Sequence, residues 1–369
     1  MNGVLQATKR ARKNESSLSE LLQQAKQRWE TVRVRTIEPE RRRELVKELL
    51  DMLGGHLQEL VMKHDASRVV QTLLKYGSGE QRNAIFQQLE DKVLELAKSK
   101  YGHQLVQKLL RYGTRVVREA LLRQFRGRMV RMLTHNYGAI VLEEGCTRAW
   151  RSNEVRALLQ EAYGPEFIHF KAPERSLSAL LEAHPERRKA AMDSLRHILQ
   201  RQADKGLLGL TVSHKLLADY FEAAEPADCG AMVETVREAV VALMGSREGG
   251  RAACAMFGYG SAKDRKLMAR KISEHLDEVA IHDQGHRVVV RALDTTDDTK
   301  TSSKYLLQPL LTPRSRLARF LTDPYGCKVF LHVLARQHPR YFGPIEQKLL
   351  QPCFLPDTSA DDGATNVRC

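Results

Sequence analysis

Apolar residues recur along the chain with the spacing of helices. Val69, Val70, Leu73 and Leu74 stand at i, i+1, i+4 and i+5, one face of a 3.6-residue period. Gly77 follows as a stop. Ser78-Gly79-Glu80-Gln81 has the spacing of a capping box and predicts a second helix whose inner face is Ile85, Phe86 and Leu89. A short third segment with Val93, Leu94, Leu96 and Ala97 leads onward. No β-alternating stretch with hairpin turns appears.

The unit then repeats. Asp65-Ala66-Ser67-Arg68-Val69-Val70-Gln71 returns 36 residues later as Tyr101-Gly102-His103-Gln104-Leu105-Val106-Gln107. Another 36 residues bring Tyr137-Gly138-Ala139-Ile140-Val141-Leu142-Glu143. Lys75-Tyr76-Gly77 recurs as Arg111-Tyr112-Gly113. A worn copy lies at Glu174 to Ala179, and His214 to Ala218 follows at a spacing of 39. Gly250 to Cys254 and His286 to Val290 come at 36 each. Tyr325-Gly326-Cys327-Lys328-Val329-Phe330-Leu331 follows at 41, the excess falling in the polar stretch Asp294 to Ser303. A faint earlier copy lies near Thr31. One such unit cannot bury both of its faces, so neighbours must stack. The expected fold is an all-α solenoid of three-helix repeats.

Charge adds a second pattern. Lys plus Arg number 59 against 45 Asp plus Glu, a net +14. Residues 1–150 hold 28 basic and 17 acidic side chains (+11), residues 151–369 hold 31 and 28 (+3). The window 98–131 holds ten Lys and Arg with only Glu119 against them. A basic half points to a polyanionic partner. No apolar run approaches the ~20 residues of a membrane span, so no membrane partner is expected. The first fifteen residues lack an apolar signal-peptide core. Six cysteines without a CxxC fit a soluble protein of a reducing compartment. Lys9-Arg10-Ala11-Arg12-Lys13 has the composition of a nuclear import signal. The chain divides by composition into a basic flexible tail (1–24), a basic N-terminal subdomain (25–165), a C-terminal subdomain of degenerate repeats (166–350) and a polar, disordered tail (351–369).

Helical repeats of about 36 residues carrying Ser67-Arg68-Val69-Val70-Gln71 resemble pumilio (PUF) repeats. His64 to Gln71, Tyr163 to Phe167 through Ser213 to Lys215, Val236 to Leu243, and Ser315 to Leu331 resemble the Puf-A branch of that family, in order. The resemblance covers roughly residues 25 to 350. It implies an L-shaped array of about eleven repeats in two subdomains, of which eight are visible in the sequence. It also implies a nuclear, nucleolar protein of large ribosomal subunit assembly and pre-rRNA processing. Nucleic-acid binding with little sequence preference goes with it, and pre-ribosomal proteins would be its neighbours.

In sequence-reading PUF arrays, two or three side chains per repeat read one base. The first and fifth residues of the five-residue motif reach a base edge, and the second stacks on it. Ser67, Arg68 and Gln71 supply suitable atoms; His103, Gln104 and Gln107 supply some. Ala139, Ile140 and Glu143 leave one usable group. Fifth positions Ala218, Cys254, Val290 and Leu331 cannot bond a base edge, at ~1–3 kcal/mol of discrimination per good bidentate contact. A long sequence is therefore not read. The cations persist at second positions Arg68, Lys215, Arg251, Arg287 and Lys328. The expected phosphate-binding surface is Lys63, Arg68, Lys75, Lys98, Lys100, His103, Lys108, Arg111 and Arg115, extended by Arg126, Arg128 and Arg131. Tyr76, Tyr101, Tyr112 and Tyr137 are expected as packing residues at repeat junctions.

No enzyme is expected. His282-Asp283-Gln284-Gly285-His286 has zincin-like spacing but no Glu after the first His, and the repeat already accounts for it. Gly258-Tyr259-Gly260-Ser261 aligns with the helix stop Lys75 to Ser78 and is followed by no GK[ST]. No cofactor or metal is expected, and the chain is read as a monomer. The partner is structured or double-stranded RNA, or DNA. Two rivals remain: a sequence-specific single-stranded RNA reader that represses messages, and a protein-binding solenoid scaffold.

Overall fold

The computed structural model describes residues 20–168 and 176–350. The basic run Lys9 to Lys13, Arg175 and the tail 351–369 lie outside the described residues. Every regular element among the described residues is helical. The chain forms two compact units that divide between Leu158 and Leu159, seven residues before the boundary read from composition.

Eight inner helices carry the sequence motif: α1 (His64–Tyr76), α2 (Gly102–Tyr112), α3 (Asn136–Glu144), α4 (Leu177–Ala183), α5 (Thr211–Ala223), α6 (Arg247–Tyr259), α7 (Gly285–Thr295) and α8 (Gly326–Ala335). In the first unit α1 packs on α2 and α2 on α3. In the second, α5 packs on α6, α6 on α7 and α7 on α8. The apolar rows that predicted these helices are their contact faces: Val69, Val70, Leu73 and Leu74 are buried, as are Leu105, Val106, Leu109 and Leu110 one repeat later. Ile85, Phe86 and Leu89 are buried on the second helix of their repeat. In the third segment Val93, Leu96 and Ala97 are buried, while Leu94 is half-exposed.

The punctuation is physical. Ser78 and Gln81 form a reciprocal capping box at the start of Gly79–Leu89, and Ser261 with Asp264 does the same for Ala262–Glu274. The glycine that opens most inner helices has a different reason. A Cβ on Gly102, Gly138, Gly249, Gly285 or Gly326 would fall within 3.0 Å of Leu96, Met132, Leu243, Val279 or Phe320. Each of these neighbours lies six residues earlier, on the short third helix or its end. The chain turns back on itself there with no room for a side chain. A third device was not visible in the composition. Arg42, Arg82, Arg118, Arg265 and Arg316 each donate to main-chain carbonyls seven or eight residues back. Arg82, for instance, reaches the Leu74 and Lys75 carbonyls at 2.8 and 3.1 Å. The carbonyls at a helix end have no partner within the helix, and these guanidiniums supply one.

Aromatic pairs mark the junctions. His64 meets Tyr101, His103 meets Tyr137 and His286 meets Tyr325, with ring centroids 4.6–5.2 Å apart. Before α1, residues 20–33 form a helix that starts inside the stretch read as a flexible tail. Its Trp29 donates to the Thr72 hydroxyl at 2.7 Å, and its Val32 is buried. The faint copy near Thr31 is therefore a packed helix beside α1. The insertion between α7 and α8 is absorbed by a loop at Thr296–Asp298 and a wide helical turn at Ser303–Leu307. The worn fourth copy keeps only the seven-residue α4, with Ser176 as its cap and Pro185 beyond its end.

Gly285→Ala is expected to destabilise the protein by about 1–3 kcal/mol, since its Cβ meets the Val279 main chain. Gly209→Ala, with nothing nearer than 3.9 Å, is expected to change stability by at most ~0.5 kcal/mol. Urea unfolding followed by circular dichroism separates the two, and equal losses would refute the close-approach argument.

Candidate nucleic-acid interface

The repeat fixes where each candidate side chain stands. Lys63 precedes α1, while Lys98 and Lys100 precede α2. Arg128 and Arg131 flank or lie in the short helix Met129–Leu133 before α3. All five are exposed. A second group, Lys75 and Arg111, lies at the far ends of α1 and α2. The eleven residues of α2 separate the two rows by roughly 16 Å at 1.5 Å per residue. Arg68 and Gln104 are exposed near the start of their helices.

Several of these cations are cradled by rings. Lys75 Nζ sits 4.8 Å from the Tyr76 ring centre, Lys100 5.5 Å from Tyr101 and Lys108 5.6 Å from Tyr112. The Arg68 guanidinium lies 5.4 Å from Trp29. The four tyrosines lie at repeat junctions beneath cations and histidines, half-buried. Trp29 is 8% exposed, so it packs and offers no free face to a base.

Other candidates are not where the motif implied. Ser67 is buried; its hydroxyl donates to the Tyr101 carbonyl at 3.3 Å and accepts from Gln71 Nε2 at 3.2 Å. The polar pair of the most intact repeat is thus tied to itself and to the next repeat. His103 is also buried, stacked on Tyr137 with Nδ1 3.0 Å from the Ser99 carbonyl oxygen. Arg111 is engaged by its own chain. It gives two hydrogen bonds, of 2.8 and 2.7 Å, to the buried carboxylate of Glu144. Arg115 pairs with Glu119 at 2.6 Å. Gln107 is half-buried, as is Arg126. Arg118, one of the ten cations of the 98–131 window, caps a helix end instead. The charge that remains open to a ligand in this window is Lys98, Lys100, Lys108, Arg123, Arg126, Arg128 and Arg131.

Sequence reasoning missed one cationic cluster. The Arg42 guanidinium lies 4.7 Å from the centre of the Tyr76 ring, which Lys75 also approaches, at 4.8 Å. Lys75, through a hydrogen bond, and then the charges of Arg42 and Arg35 hold the Tyr76 phenol below its usual range. A shallow cleft of 490 Å³ lined by Arg43, Glu44, Lys47, Tyr76 and Ser78 opens beside it. The run Arg41-Arg42-Arg43 was the available signal, but it precedes the first clear repeat.

Fifth positions Ala218, Cys254 and Val290 are buried in the second unit. His282 accepts from main-chain N–H groups before α7 begins, and His286 is buried against Tyr325. Among the described residues no three His, Cys, Asp or Glu side chains gather to hold a metal. No helix among them is long and apolar enough to cross a membrane.

A Pumilio-family RNA binding repeat matches residues 66–90 and 92–124. Pumilio homology domain family member 6 of Schizosaccharomyces pombe is 36% identical over 331 residues, 89% of this chain and 51% of that protein. Human Pumilio homolog 3 is 31% identical over 324 residues, 87% and 50%. The chain thus spans about half the length of these curated relatives. The crystal structure of human Puf-A superposes with a TM-score of 0.84 at 30% identity, covering 90% of this chain and 65% of that one. A second crystal structure, of human Puf-A in complex with DNA, gives 0.83 over 90% and 66%.

The Arg111–Glu144 pair makes a prediction of its own. The hydrogen bond from Arg111 holds the Glu144 carboxyl below its ordinary range. That stability is present above the unfolded carboxylate pKa of ~4.3 and is lost as pH falls through the lower folded value. Arg111→Ala should cost about 1–3 kcal/mol at neutral pH by leaving a buried carboxylate unpaired. Adding Glu144→Gln should recover part of it and flatten the loss of melting temperature below about pH 5. Additive losses in the double variant would show that the pair is not coupled.

Proposed function

The chain belongs to the PUF-repeat family and is similar to its pumilio homologue 3, or Puf-A, branch, and from that premise we propose that it is a non-catalytic nucleic-acid-binding protein that grips the phosphate backbone with little regard to sequence. The observation that carries the reading is a division of atoms in the first unit. Its exposed cations Lys63, Lys98, Lys100, Arg128 and Arg131 have no ion pair among the described residues. Its best base-reading pair, Ser67 and Gln71, is hydrogen-bonded internally. Cations without free edge-reading groups bind by releasing condensed counterions from the backbone. Packed rings argue against a stacking platform for single strands. The ligand is therefore structured or double-stranded RNA, or DNA.

That chemistry suits a protein that holds folded RNA during large ribosomal subunit assembly and pre-rRNA processing in the nucleolus, among pre-ribosomal proteins. The resemblance to that branch is what suggests the role and the location. The reader alternative keeps one specific support, the exposed Arg68 beside a polar Gln71. If Gln71 reads a base, Gln71→Ala changes base preference; if the backbone is bound, it does not.

With six phosphates engaged on a duplex, log affinity should fall against log salt with a slope of about −5. Converting Lys98, Lys100, Arg128 and Arg131 to Glu should weaken binding of every sequence by ~10-fold or more and flatten that slope. Arg251→Glu, at a residue paired to Glu222 and Glu248, should leave affinity unchanged. Gel shifts with scrambled single and double strands measure all three. Binding of one short motif about 100-fold more tightly than its scrambles would overturn the proposal.

A further inference from the structure

The inner face of the second unit has a different chemistry. Its second-position cations are neutralised by their own chain. Lys215 Nζ lies 2.6 Å from Asp219, and Arg251 reaches Glu222 and Glu248 at 2.9 and 2.7 Å. Lys328 and Arg287 converge on Glu346 of the helix Pro344–Leu350, at 2.7 and 3.4 Å. That helix packs against α6 and α7. A polyanion on this face would have to displace carboxylates from every one of these pairs.

Beside the pairs the surface sinks into a cleft of 420 Å³ between α5, α6 and the helix Pro344–Leu350. Its lining is mainly apolar. Ala218, Ala252 and Ala255 leave the hollow, Phe221 stacks on Tyr259 at 6.3 Å, and Ile345 stands at the lip, 63% exposed. Ala218 is a fifth position, where a reader would carry an amide. The lining also holds Glu222, which is neutralised by Arg251, whereas Arg247 and Lys348 are exposed on the same cleft without an ion-pair partner among the described residues.

We propose that this cleft is a docking site for an acidic peptide segment of a partner protein, anchored by one bulky apolar side chain in the alanine-floored hollow. Carboxylates flanking that anchor meet Arg247 and Lys348. Apolar anchors in pockets carry most of the affinity of such contacts, and the charged rim selects among partners and speeds encounter. A nucleobase fits less well, because alanine side chains give its edge no hydrogen bond and Arg251 is already held. The inference is independent of the nucleic-acid reading, since every residue it uses lies in the second unit.

A random-peptide display library selected on the full chain tests it. The expected consensus is a single Phe, Trp, Leu or Met flanked by Asp and Glu. The selected peptide, labelled and titrated by fluorescence anisotropy, should bind at least tenfold more weakly to Ala255→Phe, which fills the hollow. It should weaken equally with Arg247→Glu combined with Lys348→Glu, two exposed positions whose change leaves the melting temperature intact. The charge variants Lys98→Glu and Lys100→Glu should not affect it. No consensus, a basic consensus, or wild-type affinity in either cleft variant would overturn the proposal. Displacement of the peptide by single-stranded RNA would overturn it too, by making the cleft a nucleotide site.

Discussion

A helix with one apolar face needs another surface against it, and here that surface is the next copy of the same helix. The row Leu105, Val106, Leu109 and Leu110 is fully buried with α1 on one side, α3 on the other and the short helix Val93–Lys98 packed against it. At ~25 cal/mol per Å² of apolar area, isolated repeats gain too little to offset their ordering entropy, so stability is shared between neighbours. The same requirement sets the glycines. Close stacking brings the start of each inner helix onto the main chain six residues earlier, where a Cβ does not fit. Ala66 in the first clear repeat shows that the contact can relax by one methyl group when the local path allows it.

Stacking also decides what the cations can do. A net charge of +14 reads as a single property in the composition, yet the structure divides it three ways. Arg42, Arg82, Arg118, Arg265 and Arg316 serve helix ends. Arg111, Arg251, Lys215 and Lys328 serve carboxylates of their own chain. Others, among them Lys98 and Lys100 before α2 and Arg128 and Arg131 before α3, have no carboxylate partner among the described residues and are open to a ligand. The carboxylate-paired group contributes least to the field a polyanion meets, because paired charges cancel within a few ångströms and are screened beyond ~10 Å.

This division explains which parts were legible in the sequence. The repeat, its helices, the Ser78 cap and the stop at Gly77 depend on residues within a turn or two of one another, and periodicity exposes them directly. The short helix of residues 20–33 was nearly hidden, because Trp29 and Val32 carry its packing with few other apolar positions. The ion pairs between neighbouring repeats were not legible because their partners are a repeat apart. Arg111 and Glu144 are separated by 33 residues, Arg196 and Asp228 by 32, Arg265 and Asp297 by 32. Each interval is one 36-residue period less about one helical turn, the offset at which side chains on adjacent repeats meet. Ser67 and His103 misled for a related reason. A hydroxyl or imidazole at a motif's first position can face a ligand or the next repeat with equal chemistry, and Tyr101 and Tyr137 decide for the repeat.

The two units therefore keep one architecture while differing in surface chemistry, because the positions that specify packing are not those that specify a ligand. Val288 and Val289 of α7 occupy the same buried row as Val69 and Val70 of α1. The second motif position beside that row is not buried in α1, α2, α5, α6, α7 or α8, whereas the first and fifth pack inward in some repeats and stay polar in others. In the first unit they hold Arg68, Gln71 and Gln104, and the surrounding cations stay open. In the second they hold Ala218, Cys254 and Val290, which pack inward, and the cations near them acquire carboxylates. Loss of long polar side chains from an inner face leaves space, and space beside apolar alanines favours an apolar occupant over a charged backbone. The contrast between an open basic face and a neutralised, hollowed one is thus a consequence of which side chains the stack leaves free.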